Sequence, residues 1–146
     1  METMIRCAQK EDENKLAAFL EKADLGTEGI ADSINYFLLM EDEEENIKAT
    51  LGIEPLGSVG LLRSLVLSER ASEKDLLLLV EQILRLARER ELESLYMATN
   101  KKGAAEFFKL LGFQDEKSEL PEELYRSAHV QHILTVDNFT FLKLSI

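Results

Sequence analysis

The chain has 146 residues, 45% hydrophobic and 31% charged, so it is long enough to bury a core and too apolar to be disordered. Its formal net charge of −11 argues against nucleic acid or an anionic membrane face as a partner. The single cysteine, Cys7, excludes an intramolecular disulfide and a thiolate metal cluster. Because the amino terminus lacks a signal-peptide pattern and no apolar run could span a bilayer, we expect a cytoplasmic protein.

The first third of the chain contains short apolar segments separated by polar residues. In chain order they predict a strand at 4–8, an amphipathic helix at 12–22, a short helix or turn at 30–37 and a strand at 37–40. The acidic run at 41–45 predicts a solvated hairpin turn, because like charges avoid burial. Residues 47–53 alternate between apolar and polar, which predicts a half-buried strand that ends at Pro55-Leu56-Gly57.

The middle of the chain contains the longest helical pattern. Residues 59–67 are apolar apart from Arg63 and Ser64, which predicts a strand buried on both faces. Apolar residues then recur at helical spacing from 76 to 90, after a capping box formed by Ser72 and Asp75. The remaining predicted elements are a strand at 92–98, a helix at 104–111 ended by Gly112, a short segment opened by Pro121, and two extended runs between 130 and 146.

The order of these elements predicts a mixed sheet. Three consecutive strands imply hairpins and antiparallel pairing, whereas the later alternation of strand and helix implies crossovers and parallel pairing. No internal repeat or linker divides the sequence. We therefore expect one α/β (mixed α+β) domain over residues 1–146. Its sheet would be mixed, mostly antiparallel and of about six or seven strands, flanked by about four helices.

Three segments resemble the GNAT superfamily of N-acetyltransferases: Leu61-Leu-Arg-Ser-Leu-Val-Leu67, Leu86-Ala-Arg-Glu-Arg90 and Ala105-Glu-Phe-Phe-Lys-Leu-Leu-Gly-Phe113. The order of elements is also that of the GNAT fold. Five further segments are similar to its arsenic-resistance N-acetyltransferase branch: Ala23-Asp-Leu-Gly-Thr27, Phe37-Leu-Leu-Met-Glu-Asp42, Gly52-Ile-Glu-Pro-Leu-Gly57, Leu95-Tyr-Met-Ala-Thr99 and Pro121-Glu-Glu-Leu-Tyr-Arg-Ser127. The resemblance, which runs from about residue 5 to the C-terminus, implies direct transfer of an acetyl group from acetyl-CoA to a small-molecule amine.

GNAT proteins bind the pyrophosphate of acetyl-CoA with a Gln/Arg-x-x-Gly-x-Gly/Ala loop, whose free amides point at the anion from a helix N-terminus. The three defining positions are occupied here by Ala71, Lys74 and Leu76. The basic residue and both small residues are therefore replaced. Ser72, Glu73 and Asp75 suit a capped helix start and oppose a bound anion, which Lys74 and Arg70 partly offset. Two alternatives follow for acetyl-CoA: the loop still binds it, or binding is weakened or lost.

The resemblance also implies which residues contact the cofactor. These are the backbone at Leu65, Val66 and Leu67 for the pantetheine arm, the loop residues Ala71, Ser72, Lys74, Asp75 and Leu76, and Asn100, Phe107 and Phe108 farther along. The alternative for Asn100 is a polar residue that caps the end of its strand. In this interpretation strands four and five separate to admit the arm. Many family members carry a tyrosine that protonates the departing thiolate, but Phe108 stands at the matching position and cannot donate a proton.

For the acceptor amine, Glu54 is the candidate general base, because it is expected at the end of the third strand, where substrates approach. The alternative for Glu54 is a solvent-facing turn residue. Arg63 and Ser64 are the candidate substrate-binding residues. An arginine in an apolar strand needs a partner, so Arg63 either forms a structural ion pair with Glu54 or holds a substrate carboxylate.

His129 and His132 are three residues apart in a segment expected to be extended, with no cysteine nearby, so we predict no metal site. The run from Leu134 to Leu142 lacks the cysteine that related arsenic-resistance proteins carry there. A non-catalytic alternative keeps the GNAT fold as a binding module. In that alternative the chain forms a homodimer through the apolar helix at 76–87 or through the C-terminal strands.

Overall fold

The structure, a computed structural model, describes residues 4–117, 120–135 and 139–146. These residues form seven strands: β1 Met4–Cys7, β2 Phe37–Glu41, β3 Ile47–Leu56, β4 Val59–Leu67, β5 Ser94–Thr99, β6 Gln114–Asp115 and β7 Thr140–Ser145. They also form four α-helices: α1 Glu13–Lys22, α2 Glu73–Glu89, α3 Lys102–Leu110 and α4 Ala128–Ile133. Three short 3₁₀ turns lie at Lys10–Asp12, Ile34–Tyr36 and Glu122–Arg126.

The strands form one sheet in the order β1-β2-β3-β4-β5-β7-β6. The β1–β2, β2–β3, β5–β7 and β6–β7 pairs are antiparallel. The β4–β5 pair is parallel and joins Val59–Leu61 to Ser94–Tyr96, because α2 returns the chain to the same end of the sheet. The predicted mixed, mostly antiparallel sheet with four helices is confirmed. Its shortest strand, β6, has too few residues to show a pattern in sequence.

The chain divides into two compact units, each with its own buried cluster. The first unit comprises Met1–Glu54 and Arg63–Leu86, and its cluster contains Ala8, Leu16, Leu20, Ile30, Ile34, Phe37, Leu39 and Ile47. The second unit comprises Pro55–Leu62 and Ala87–Ile146, and its cluster contains Leu56, Val59, Leu61, Tyr96, Leu124 and Val130. That the whole chain acts as one domain stays a prediction.

Strand β3 differs from its prediction in two ways. The expected solvent-facing residue Thr50 is fully buried, and its hydroxyl donates to the Leu38 carbonyl oxygen at 2.8 Å. Every residue of β3 from Ala49 to Ile53 is buried, so both faces of the strand are covered there. Pro55 does not end the strand, which continues to Leu56 before a turn at Gly57.

The first residue of the predicted acidic turn belongs to β2 instead. Glu41, expected in solvent, is buried as the last residue of β2. Its carboxylate accepts from Arg6 Nε and from Lys15 Nζ, each at 2.8 Å. Two cations supply the partners that a buried carboxylate needs, and the sequence around Glu41 gives no sign of them.

The C-terminal part contains a helix where an extended run was predicted. Residues 128–133 form α4, which begins where the Ser127 hydroxyl accepts from the Val130 amide at 3.2 Å. Val130 and Ile133, three residues apart, are both buried, as helical spacing requires. The second predicted run is confirmed over β7. The part of the Leu134–Leu142 segment at 136–138 lies outside the described residues.

None of the described helices combines the length and the hydropathy that crossing a bilayer requires.

Candidate functional site

The middle of β4 contains a backbone irregularity at the predicted substrate-binding pair. Ser64 has φ +58°, a left-handed conformation that is uncommon for non-glycine residues and that lies here inside a strand. Residues 59–62 before it are buried, those at 63–66 are half-buried and Leu67 is exposed. Such a kink re-aims the backbone that follows it, and kinks of this kind are common beside functional sites.

Arg63 is half-buried in the first unit, beside this kink. Its guanidinium carbon lies 5.6 Å from the centroid of the Phe37 ring, and its Nε donates to the Ser64 hydroxyl at 3.2 Å. Burial lowers the pKa of Arg63, and the charges of Glu54 and Glu28 oppose that change. The predicted partner Glu54 therefore acts on Arg63 by charge, from within the same unit.

Glu54 lies inside β3, not at its end as the sequence predicted, because the strand continues to Leu56. The side chain is half-buried, so it is neither a solvated turn residue nor part of the core. Its carboxylate lies on β3, and its charge acts on Arg63. Its role as general base stays a prediction.

The segment before α2 forms the predicted capping box. The Asp75 amide donates to the Ser72 hydroxyl at 3.2 Å, and the Ser72 amide donates to Asp75 Oδ2 at 2.9 Å. Lys48 Nζ lies 2.9 Å from the same carboxylate oxygen. The bond from the Ser72 amide and the contact with Lys48 lower the pKa of Asp75, so the carboxylate is held in its charged form.

The amides of this segment are mostly used inside the protein. The Ala71 amide donates to the Ser68 carbonyl oxygen at 3.0 Å, and the Leu76 amide donates to the Ser72 carbonyl oxygen at 3.1 Å. With the two bonds of the capping box, four of the predicted loop residues have amides engaged by the chain itself: Ala71, Ser72, Asp75 and Leu76. Lys74 is exposed on the first turn of the helix.

The remaining predicted cofactor residues lie in the second unit. Asn100 is exposed directly after β5. Phe108 is 2% exposed, and its ring packs edge-to-face on those of Phe107 and Phe113, each with centroids 5.4 Å apart. Phe108 therefore belongs to the core of its unit, and Phe107 is half-buried. Contacts of these residues with a cofactor stay predictions.

His129 and His132 lie on α4, which corrects the predicted extended conformation. The described parts of the chain contain no cluster of three or more His, Cys, Asp or Glu residues suited to a metal ion.

A cleft that the sequence did not indicate lies in the first unit, between the end of α1 and the end of β4. Its volume is about 610 Å³, and it is lined by Phe19, Lys22, Ala23, Val66, Leu67, Ser68, Glu69 and Arg70. The Ser68 hydroxyl is buried without a hydrogen-bond partner among the described residues. The two walls are far apart in sequence, so only folding brings them together.

Comparison with known proteins found one relative by sequence and many solved structures with a similar fold. No family model matches the chain. The uncharacterized protein YwlB of Bacillus subtilis (strain 168) is 35% identical over 126 residues, which cover 86% of this chain and 85% of that protein.

Three solved structures illustrate the similarity of fold. The N-acetylglutamate synthase from Neisseria gonorrhoeae, complexed with coenzyme A and N-acetyl-glutamate, has a TM-score of 0.79 at 20% identity over 99% of this chain. The chain spans only 35% of that protein's length. Rv2747 from Mycobacterium tuberculosis, in complex with CoA and NLQ, has a TM-score of 0.76 at 15% identity, covering 98% of this chain and 99% of that one. A GNAT-family acetyltransferase from Staphylococcus aureus Mu50 has a TM-score of 0.73 at 17% identity, covering 99% of both chains. At these identities the similarity shows a shared GNAT fold.

Proposed function

We propose that this chain, which belongs to the same family as YwlB of Bacillus subtilis and has the GNAT fold, is an N-acetyltransferase that acts on a small-molecule amine. The observation that carries the proposal is the kink in β4 at Ser64, which re-aims the backbone of Leu65–Leu67 next to a half-buried arginine. The solved structures of this fold that contain coenzyme A support acetyl-CoA as the acetyl donor.

The backbone at Leu65–Leu67 would hold the pantetheine arm, and acetyl-CoA supplies the acetyl group as a thioester. Glu54 accepts the proton that the acceptor amine loses as its nitrogen bonds to the acetyl carbon, directly or through a water molecule. The bond from that carbon to sulfur breaks, and sulfur leaves as a thiolate. Because Phe108 has no proton to give, the thiolate would take its proton from solvent, and Glu54 would release to solvent the proton that it accepted from the amine, so that the reaction balances.

Arg63 supports an acceptor that carries a carboxylate close to its amine. Its Nε donates to the Ser64 hydroxyl, and its guanidinium plane lies over the Phe37 ring. The two terminal nitrogens are therefore the donors that could bind a planar anion such as a carboxylate. The pKa of Arg63 is lowered by burial, so a bound carboxylate would compensate for lost hydration. Amino acids are acceptors of this class.

Acetyl-CoA binding is tested by thermal denaturation with acetyl-CoA, with CoA and without ligand. A ligand present at about 100 times its dissociation constant adds roughly 2.7 kcal/mol of stability, which is a measurable rise in melting temperature. We expect such a rise with both ligands. The absence of any rise at millimolar concentration would contradict the proposal.

The engaged amides before α2 favour a second candidate function, a GNAT-fold module that does not bind acetyl-CoA at all. The double variant Lys74→Gly, Leu76→Gly restores the family's glycines at the two positions. If the wild-type chain shows no binding and this variant does, the module is the correct function. Because each glycine costs a helix about 1 kcal/mol, the variant's own stability without ligand is the reference.

A further inference from the structure

A turn at residues 27–30 is anchored in the core of the first unit. The Ile30 amide donates to the Thr27 carbonyl oxygen at 3.3 Å, which closes the turn. Ile30 is 2% exposed and belongs to the same buried cluster as Phe37, whose ring packs against the Arg63 guanidinium. The core therefore holds the turn and the candidate acceptor-binding arginine in one packed unit.

Gly29 brings this turn against the guanidinium. Its φ is +77°, a left-handed conformation that favours glycine, and a Cβ built on it would lie 3.6 Å from Arg63 Nη1. The Ser33 hydroxyl donates to the Gly29 carbonyl oxygen at 3.1 Å, which fixes the peptide group that follows. The backbone therefore places Glu28, the residue before Gly29, close to a terminal nitrogen of Arg63.

Glu28 contributes a carboxylate to the surroundings of Arg63. The side chain is exposed, and it forms no ion pair with the residues that the structure describes. Its charge nevertheless acts on Arg63, as the charge of Glu54 does. All three residues belong to the first unit. One guanidinium and two carboxylates together carry one negative charge more than they carry positive charge.

An amino acid bound here would use two of these three charges. Its carboxylate would pair with Arg63, and the proton that its amine loses would pass to Glu54, as in the proposed reaction. The charge of Glu28 remains, and it lies close to the arginine that would hold the acceptor. An acidic side chain on the acceptor would be repelled by this carboxylate, whereas a basic one would be attracted and a neutral one would be little affected.

We infer that Glu28 is a specificity-determining residue that selects against acidic amino acids, so that the acceptor is an amino acid with a neutral or basic side chain. The inference rests on the proposed acetyltransferase function and narrows its substrate class. Other carboxylates of this acidic chain act in the same direction, but salt screens exposed charges beyond about 8 Å at physiological ionic strength. A carboxylate next to the arginine therefore has more influence on the acceptor than distant ones have.

The test compares glutamine with glutamate as acceptors, because these two amino acids have nearly the same shape and differ in side-chain charge. Steady-state kinetics at saturating acetyl-CoA give kcat/KM for each. We expect the wild-type chain to favour glutamine, and Glu28→Gln to reduce that preference roughly threefold, which is the size of effect that an exposed charge has. The wild-type preference should also fall as the salt concentration rises from about 10 mM to about 150 mM, because salt screens exposed charges.

Two variants control for the substitution itself. Glu28→Asp keeps the charge and should keep the wild-type preference. Glu21→Gln removes a charge from an exposed residue of α1 in the same unit, at a position that is not among the described charges acting on Arg63, and it should also match the wild type. A Glu28 that only supported the fold would change stability in urea unfolding and leave the ratio of the two kcat/KM values unchanged.

The outcomes separate this inference from the function beneath it. If amino acids are acetylated and Glu28→Gln keeps the wild-type ratio, or if the wild-type chain prefers glutamate, Glu28 does not select the acceptor and the acetyltransferase proposal stands. A preference that salt leaves unchanged has the same meaning, since its cause is then not charge. If only amines without a carboxylate are acetylated, the inference fails together with the role of Arg63. If the wild-type chain acetylates no amine, both proposals fail.

Discussion

Arg6 binds two buried carboxylates at once. Its two terminal nitrogens donate to Asp12 at 2.7 and 2.8 Å, while its Nε donates to Glu41. The bonds with Arg6 lower the pKa of Asp12 to about 2. Burial works to raise the pKa of Glu41, but the bonds with Arg6 and Lys15 together lower it. These hydrogen bonds connect β1, β2 and the start of α1, and their contribution to the free energy of unfolding depends on pH.

We predict that Asp12 contributes stability that disappears in acid. Its pKa falls on folding from an ordinary 3.8 to about 2, so the contribution is complete above pH 4 and is lost as the pH falls toward 2. A shift of that size corresponds to about 2 kcal/mol. Urea unfolding of Asp12→Asn across this pH range should show a lower stability at pH 7 and a weaker loss in acid.

The control for Asp12 is Asp32→Asn, at an exposed position. It should unfold like the wild-type chain at every pH. An Asp12→Asn variant that keeps the full acid sensitivity of the wild-type chain would show that another carboxylate is responsible.

Arg63 leads to a prediction about substrate preference. With Arg63→Lys the planar pair of donors is replaced by a single ammonium, so KM for a carboxylate-bearing acceptor should rise roughly tenfold while kcat changes little. The measurement is acetylation of amino acids and of their decarboxylated amines by wild-type and variant chains. Decarboxylated amines should be poor acceptors for both. If wild-type protein acetylates both classes equally well, Arg63 does not bind a carboxylate.

At the scale of elements, β2 and β3 come close to one another at Gly52. Gly52 pairs with Phe37, and a Cβ built on Gly52 would lie 2.5 Å from Cδ2 and Cε2 of the Phe37 ring. A side chain there must move the ring, which is fully buried and also supports Arg63. The position of the Phe37 ring in the core, and with it the support of the Arg63 guanidinium, therefore depends on the absence of a side chain at Gly52.

We predict that Gly52→Ala destabilises the chain by roughly 1–3 kcal/mol, the usual cost of overpacking a core. Gly103→Ala is the matched substitution, because Gly103 lies in α3 with open space where its Cβ would be. It should stabilise the chain by up to about 1 kcal/mol through helix propensity. Urea unfolding measures both, and equal effects of the two substitutions would contradict the packing argument.

Helices and strands could be predicted from the sequence where the pattern that specifies them lies within one short stretch of residues. The Ser72–Asp75 capping box and the apolar stripe of α2 are complete within one stretch of sequence, and both are confirmed. The α4 helix has only six residues, too few to separate a helical pattern from an alternating one. The left-handed conformation of Ser64 could not be predicted from the sequence, since a serine is compatible with ordinary strand conformation.

On the scale of the whole molecule, the net charge of −11 destabilises the folded chain through self-repulsion. Raising the salt concentration from about 10 mM to about 150 mM shortens the Debye length from about 30 Å to about 8 Å. We predict that the melting temperature rises by about 2–4 °C over this range, which corresponds to about 1 kcal/mol. Thermal denaturation at the two salt concentrations is the measurement.

Glu44→Lys is the companion variant for the salt effect, because Glu44 is exposed in the turn after β2 and the substitution changes the net charge from −11 to −9. Its melting temperature should respond less to salt. A melting temperature that falls with salt would show that ion pairs such as Arg6–Asp12 outweigh the general repulsion.

From the sequence alone, the fold class, the order of its main elements and the capping box before α2 could all be inferred, because periodicity, caps and motif spacing are properties of neighbouring residues. The tertiary structure decided which polar groups are buried and which distant segments meet. Thr50 and Glu41 are buried, and their polar groups find partners in the Leu38 carbonyl oxygen and in the side chains of Arg6 and Lys15. Lys22 reaches the end of β4 only after the chain has folded. Burial and long-range contacts depend on packing between segments, and no local pattern encodes them.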